Sequence, residues 1–133
     1  MLKCILTEDE IIILKNIIDK HNNCDCNWNI SFSTIWFQDD EVELRISFLQ
    51  NIKLIISRVC FINKRNGTMS EILEKLKEIC QKNHIKLICM QSVLTDEMIN
   101  FCKKNDFLPD EYSSYEIDGK IFGDYILTLN EAI

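Results

Sequence analysis

The sequence predicts an α/β fold: a single mixed, mostly antiparallel sheet with a central parallel β–α–β pair flanked by helices. Three observations point there. From Asn29 to Ile62 the apolar period shifts towards two, in runs rich in β-branched and aromatic residues. From Met69 to about Lys82 the period is helical, with Ile72, Leu73, Leu76, Ile79 and Cys80 on one stripe. "IKLICM" then follows as a short, continuously apolar run, the pattern of a strand buried on both faces. A helix between "KLIISRVCFI" and "IKLICM" makes those strands parallel neighbours by the right-handed crossover rule.

Taken in order, the chain opens with a short strand and then a capping box at Thr7–Glu10, whose acidic residues sit near the positive end of the helix they introduce. "IIILKNIIDK" supplies that first helix. "HNNCDCNWN" breaks the pattern and reads as an Asn-rich loop. His21, Cys24 and Cys26 have the residue types of metal ligands, but zinc sites need four ligands and C-x₂₋₄-C pairs, and no second cluster completes a set. No metal site is expected.

"ISFSTIWF", "EVELRISF" and "KLIISRVCFI" come next, with turns at "QDD" and "LQN", as an antiparallel meander. In the second of these strands Val42, Leu44 and Ile46 face one side, while Glu41, Glu43 and Arg45 face the other. After "IKLICM", Thr95 caps a helix with Asp96 and Glu97 in its first turn and "MINFC" on its buried face. "YSSYEI" and "GDYILTL", joined around "DGK", form the closing strands. The order is strand, helix, three strands, helix, strand, helix and two strands, in one domain covering residues 1–133.

Composition narrows the function. Net charge is −6 and the pI about 4.9, which argues against a general nucleic-acid binder. The charge is uneven: residues 1–50 carry four Lys/Arg against nine Asp/Glu, 51–109 carry ten against six, and 110–133 carry one against six. A basic middle inside an acidic protein suits a polyanionic small molecule held in one place. Seven cysteines are an odd number, with no secretory signal before them, and no run approaches a membrane span. Cys4, Cys60 and Cys89 lie in apolar strand-like runs and Cys80 on an apolar helix face, where a thiol behaves as a small hydrophobe. The expectation is a soluble protein of a reducing compartment, the cytoplasm.

The informative stretch is "FINKRNGTMSEIL", residues 61–73. Thr68 followed by Glu71 reads as a second capping box, so a helix starts just after Gly67. Strand, tight glycine turn and helix N-terminus then follow one another. The first turn of a helix presents unpaired amides and partial positive charge, which receive phosphate well. Gly67 allows close approach or a positive φ, and Lys64 and Arg65 add charge at the rim.

"KRNGTM" resembles the Q/R-x-x-G-x-G/A turn of the GNAT N-acetyltransferase superfamily, which grips the pyrophosphate of acetyl-CoA. "IKLICMQSVLTDEMINFCKKNDF" is similar to that family's later strand and helix, and the element order matches. The detailed resemblance covers about residues 54–129; the first fifty residues are similar only in layout. It implies an acetyl-CoA-dependent N-acetyltransferase with a small-molecule or peptide amine as acceptor. Backbone groups of Cys60, Phe61 and Ile62 would align the pantetheine. The rim of Lys64, the amides of Arg65, Asn66, Gly67, Thr68, Met69 and Ser70, and Thr95 on the later helix would complete the cofactor site.

Departures from the family pattern are plain. Met69 stands at the second small position of the turn, so its side chain must swing clear of the diphosphate. Thr95 replaces a favoured Asn, Met98 an Ala, Cys102 the frequent Tyr and Asp106 the Gly before Phe107. "RVCFI" carries no glutamate, so the strand lining the cofactor offers no obvious base. Glu43, with Glu41 behind it, is the candidate base on the polar strand face; the plainer reading is a solvated carboxylate. Cys102 is the candidate proton donor to the leaving thiolate; the plainer reading is packing beside Ile99 and Phe101. Tyr112 and Tyr115 are further cleft candidates. A GNAT-like module that has lost its chemistry and keeps or reuses the cleft is the competing function. An enzyme acting on charged transfer RNA would need a basic substrate surface, which the acidic net charge opposes. The acid-rich flanks hint at a cationic amine, and the closing strands could pair across a homodimer.

Overall fold

The computed structural model describes residues 6–61 and 67–129. Within them α1 (Glu8–Asn22) is followed by β1 (Asn27–Ser31), β2 (Thr34–Asp39), β3 (Val42–Leu49) and β4 (Lys53–Cys60). Then come α2 (Thr68–Lys82), β5 (Leu87–Val93), α3 (Asp96–Lys104), β6 (Leu108–Ile117) and β7 (Lys120–Thr128). The seven strands form one sheet in the order β1-β2-β3-β4-β5-β7-β6. Only β4 and β5 run parallel, and every other neighbouring pair is antiparallel. The mixed sheet with its β4–α2–β5 crossover is the expected architecture. The expected first strand falls on residues 1–5, outside the described residues.

The capping box that opens α1 is complete: Thr7 Oγ1 accepts from the Glu10 amide at 3.1 Å, and Glu10 Oε1 accepts from the Thr7 amide at 2.9 Å. Ile11, Leu14, Ile17 and Ile18 make one buried stripe. The helix runs through His21 and Asn22 and stops at Asn23, whose φ of 50° is left-handed. The Asn-rich loop is therefore shorter than the sequence pattern implied. Asp19 organises it, accepting from the Cys26 amide at 2.9 Å.

One core joins the stripes of α1 and α2 to the alternate residues of the meander, among them Ile35, Phe37, Val42, Leu44, Ile46, Leu54 and Ile56. β3 shows the physics most clearly: Val42, Leu44, Ile46 and Phe48 are buried, while Glu43, Arg45 and Ser47 between them are half-buried. Ile88 and Met90 continue the core on β5, and α3 adds Ile99 and Cys102. Lys82 on α2 reaches Glu10 on α1 at 3.2 Å, and Glu71 pairs with Lys20 and His21, so both ends of the two helices are joined.

Three expectations need correction. "ISFSTIWF" is not one strand: it folds back at Phe32 and Ser33, pairing Ser31 with Thr34. Phe32 takes a φ of 58° and is 80% exposed, so the turn forms without the usual glycine or asparagine. β6 begins at Leu108, well before "YSSYEI", with its ladder interrupted between Pro109 and Ser114. The third correction concerns Thr68, which does not cap α2. Gly67 is the N-cap, with no side-chain capping bond, and Thr68 is buried in the first helical turn.

Candidate functional site

The site grows out of the parallel pair. β4 and β5 are paired from Lys53–Leu87 to Ile56–Met90 and no further, although β4 continues to Cys60 and β5 to Val93. Both strands are deflected there by their outer neighbours. On the β3 side Ser57 is an extra residue between Ile56 and Arg58, which oppose Ile46 and Arg45. On the β7 side the register shifts between Met90 and Val93, where Ser92 has a φ of 56° and its amide donates to Asp124 at 2.9 Å. Two bulges on opposite flanks thus open a wedge whose edges are Ser57 to Cys60 and Gln91 to Val93.

At that same end of β4 the chain turns into α2. Ile62, Lys64, Arg65 and Asn66 lie outside the described residues. Gly67 has a φ of 89°, and a Cβ there would meet no atom within 4 Å. The position thus demands glycine for its conformation and faces open space. The first ladder bond of α2 runs from the Glu71 amide to the Gly67 carbonyl at 3.0 Å, so the amides of Met69 and Ser70 precede it. Met69 is buried in the core, which takes its side chain off the face that a diphosphate needs. Ser70 is exposed. Phe61 is buried and Cys60 is exposed, a correction to Cys60 as a core thiol.

The polar face of the meander carries a connected cluster beside the wedge. Glu43 lies opposite Cys60 in the β3–β4 register. Its Oε2 accepts from Trp36 Nε1 at 2.7 Å, and its Oε1 accepts from Arg58 Nη2 at 3.0 Å. Arg45 stacks on the Trp36 ring, 5.2 Å from its centroid, and donates from Nε to Ser57 Oγ at 2.8 Å. Glu41 is exposed in the turn before β3, and its carbonyl accepts from the Cys60 thiol at 3.7 Å.

The remaining candidates are dispersed. Cys102 has no exposed surface, and burial pushes its thiol up to about 12. Thr95 caps α3, its hydroxyl accepting from the Met98 amide at 3.2 Å, and stays exposed at the β5 end of the wedge. Tyr112 is 91% exposed on β6, and Tyr115 stacks obliquely on Phe122 with ring centroids 5.9 Å apart. A cavity of about 500 Å³ lined by Lys103, Phe107, Pro109, Ile121 and Tyr125 lies at the opposite, C-terminal end of α3. Sequence reasoning missed Trp36, Arg45, Ser57 and Arg58 as members of one cluster, because cross-strand register and a bulge bring them together.

No protein-family profile matches the chain, and no curated protein matches it. Solved structures do. The Ard1 structure from Thermoplasma volcanium is 18% identical, covering 95% of this chain and 82% of its own, with a TM-score of 0.51. That of Tetrahymena GCN5 is 12% identical over 94% and 89%, with a TM-score of 0.53. An N-acetyltransferase from Staphylococcus aureus is 14% identical over 73% and 67%, with a TM-score of 0.52. The chain has the fold of the GNAT N-acetyltransferases.

Proposed function

We propose that this chain is an acetyl-CoA-dependent N-acetyltransferase that acts on an amine. The observation that supports it most is the parting of β4 and β5 beyond Ile56 and Met90, at the end where Gly67 opens α2. A parallel pair held together throughout would leave no room for a thioester between its strands.

In this reading the strand end at Cys60, Phe61 and Ile62 runs alongside the pantetheine. The amides from Arg65 to Ser70 face the diphosphate, with Lys64 at the rim and Thr95 across the wedge. The helix N-terminus and the open space at Gly67 fit a diphosphate without rearrangement of Met69. The amine nitrogen attacks the thioester carbonyl, a backbone amide of the β4 edge steadies the oxyanion, and the C–S bond breaks as the C–N bond is kept. The departing thiolate needs little help, because a thiol has a pKa of ~8.5.

Glu43 is the base that takes the ammonium proton, through water. Both its oxygens are engaged, so one donor must yield; Arg58, with a side chain 60% exposed, is the freer of the two. Cys102 enters as packing, since a thiol held near 12 in the core is a poor proton source for a thiolate of ordinary pKa. Cytoplasmic residence accords with the free cysteines; among the described residues no helix is long and apolar enough to cross a membrane.

The engaged Glu43 and buried Cys102 favour a second reading, a module that binds CoA without turnover. Thermal melts with CoA test the shared part: millimolar CoA should raise the Tm, and Arg65→Ala or Gly67→Glu should remove the shift. No shift ends both readings. Thiol release across a broad amine panel then separates them, since steady turnover defeats the module and its absence with intact CoA binding favours it.

A further inference from the structure

Arg45 and Arg58 stand directly opposite one another across β3 and β4. Like charges in that relation destabilise a sheet unless each is compensated. Arg58 is compensated by Glu43, with Nη2 at 3.0 Å and Nε at 3.1 Å from Oε1. Arg45 has no carboxylate partner among the described residues. Among the described residues its one polar side-chain contact is Ser57 Oγ, and its plane rests on Trp36.

That support is rigid. The indole is fixed because its Nε1–H is committed to Glu43, and the Ser57 hydroxyl donates back to the Arg45 carbonyl at 3.4 Å. Five N–H donors belong to a guanidinium; Nε is used, and the paired Nη edge is left to a ligand. Ser57 follows Ile56, the last residue of β4 paired to β5, so the Arg45–Ser57 contact lies at the root of the wedge. Arg45, Arg58 and Glu43 together carry one net positive charge. A planar monoanion matches both the charge and the fork, which is the complement of a carboxylate.

We propose that Arg45 anchors the carboxylate of the acceptor, so that the amine acetylated belongs to an amino-carboxylate and not to a polyamine. This rests on the acetyltransferase reading and reverses the hint of a cationic acceptor given by the acid-rich flanks. With its carboxylate on Arg45, such an acceptor directs its amine along the wedge towards the Glu43–Cys60 pair.

The test uses the whole chain in thermal melts and turnover assays with matched probes: butylamine, 1,4-diaminobutane, glycine, β-alanine, 4-aminobutyrate and 6-aminohexanoate, with CoA melts in parallel. At roughly ten millimolar, at least one amino-carboxylate should raise the Tm while its uncarboxylated partner does not. Arg45→Gln should abolish that difference, raising KM for the amino-carboxylate about tenfold, and Arg45→Lys should restore part of it. Selectivity in the native chain stands as evidence even if a variant folds poorly. A preference for diaminobutane, no response to any carboxylate, or an unchanged preference in a folded Arg45→Gln overturns the inference. If CoA still shifts the Tm in those cases and any amine in the panel releases thiol, the acetyltransferase reading survives. If CoA fails to shift it, that reading falls, whatever Arg45 binds.

Discussion

His21 Nε2 lies 2.9 Å from Glu71 Oε1, which fastens the last turn of α1 to the first turn of α2. Lys20 joins the same carboxylate at 3.2 Å. Hydrogen bonds from His21 and then Lys20 hold the Glu71 carboxyl below its ordinary 4.5. At the other end of the helix pair, burial pushes Glu10 up. The Thr7 amide and Lys82 outweigh that push and leave it lowered as well. A carboxyl with a depressed folded pKa adds stability above its unfolded value and loses it as pH falls through the folded one. Stability should therefore hold above about pH 4.5 and fall below it as both ends of the α1–α2 pair loosen. Melting curves between pH 3 and 7 on the native chain and on a Glu10→Gln, Glu71→Gln variant check this. The variant should show the shallower acid slope, and equal slopes would sink the claim.

Gly67 gives a test of conformation separated from space. An added Cβ meets nothing within 4 Å, so the cost of a side chain is that of a φ of 89° alone. Gly67→Ala should cost about 1–2 kcal/mol in urea unfolding. Gly67→Asn should cost less, because asparagine visits left-handed conformations more readily. If the two substitutions cost the same, strain is not the reason for the glycine.

What the sequence revealed and what it hid divide along a physical line. Helix faces and the Thr7 capping box depend on residues near in sequence, and the parallel pair follows from the single helix that joins its strands, so each was legible. Thr68 misled because Thr-x-x-Glu fits a capping box equally well wherever it begins. The chain leaves the turn in a left-handed conformation that suits Gly67, and this moves the threonine one place into the helix. The hairpin at Phe32 was hidden for the opposite reason, since phenylalanine does not signal a turn and a single serine signals one only weakly. The Trp36–Glu43–Arg45–Arg58 cluster could not be assembled in advance. Period-two patterning gives the face of each residue but not its cross-strand neighbour, and the bulge at Ser57 decides that Arg45 opposes Arg58.

Gly123 contrasts with Gly67. Its φ is 104°, and a Cβ there would stand 2.3 Å from the Ser113 carbonyl oxygen and 2.9 Å from the Ser114 Cα. These are backbone atoms of β6 and cannot rotate away. Gly123→Ala should destabilise by about 3 kcal/mol or more, and Asn should bring no relief. Gly119 in the same hairpin has a φ of 82° and open surroundings, so Gly119→Asn should be tolerated. Chemical denaturation of the three variants ranks them; a mild Gly123→Ala would mean that β6 is not held against β7 as described.

Cys60 should be the thiol that reagents find first among the described cysteines. Alkylation needs access and thiolate together. Cys60 is exposed at the open end of β4, next to the wedge. Burial raises Cys26, Cys80 and Cys102 to about 12, and Cys24 and Cys89 to about 11, so each is short of thiolate at pH 8. In a Cys4→Ser background, iodoacetamide followed by peptide mass mapping should place the first label on Cys60. Because the proposed pantetheine path runs along that strand end, saturating CoA should slow the labelling several-fold, as occupancy of a site protects what it covers. Early labelling of Cys102 would contradict its place in the core. Labelling of Cys60 at an unchanged rate, in protein whose Tm CoA has already raised, would move the ligand away from β4.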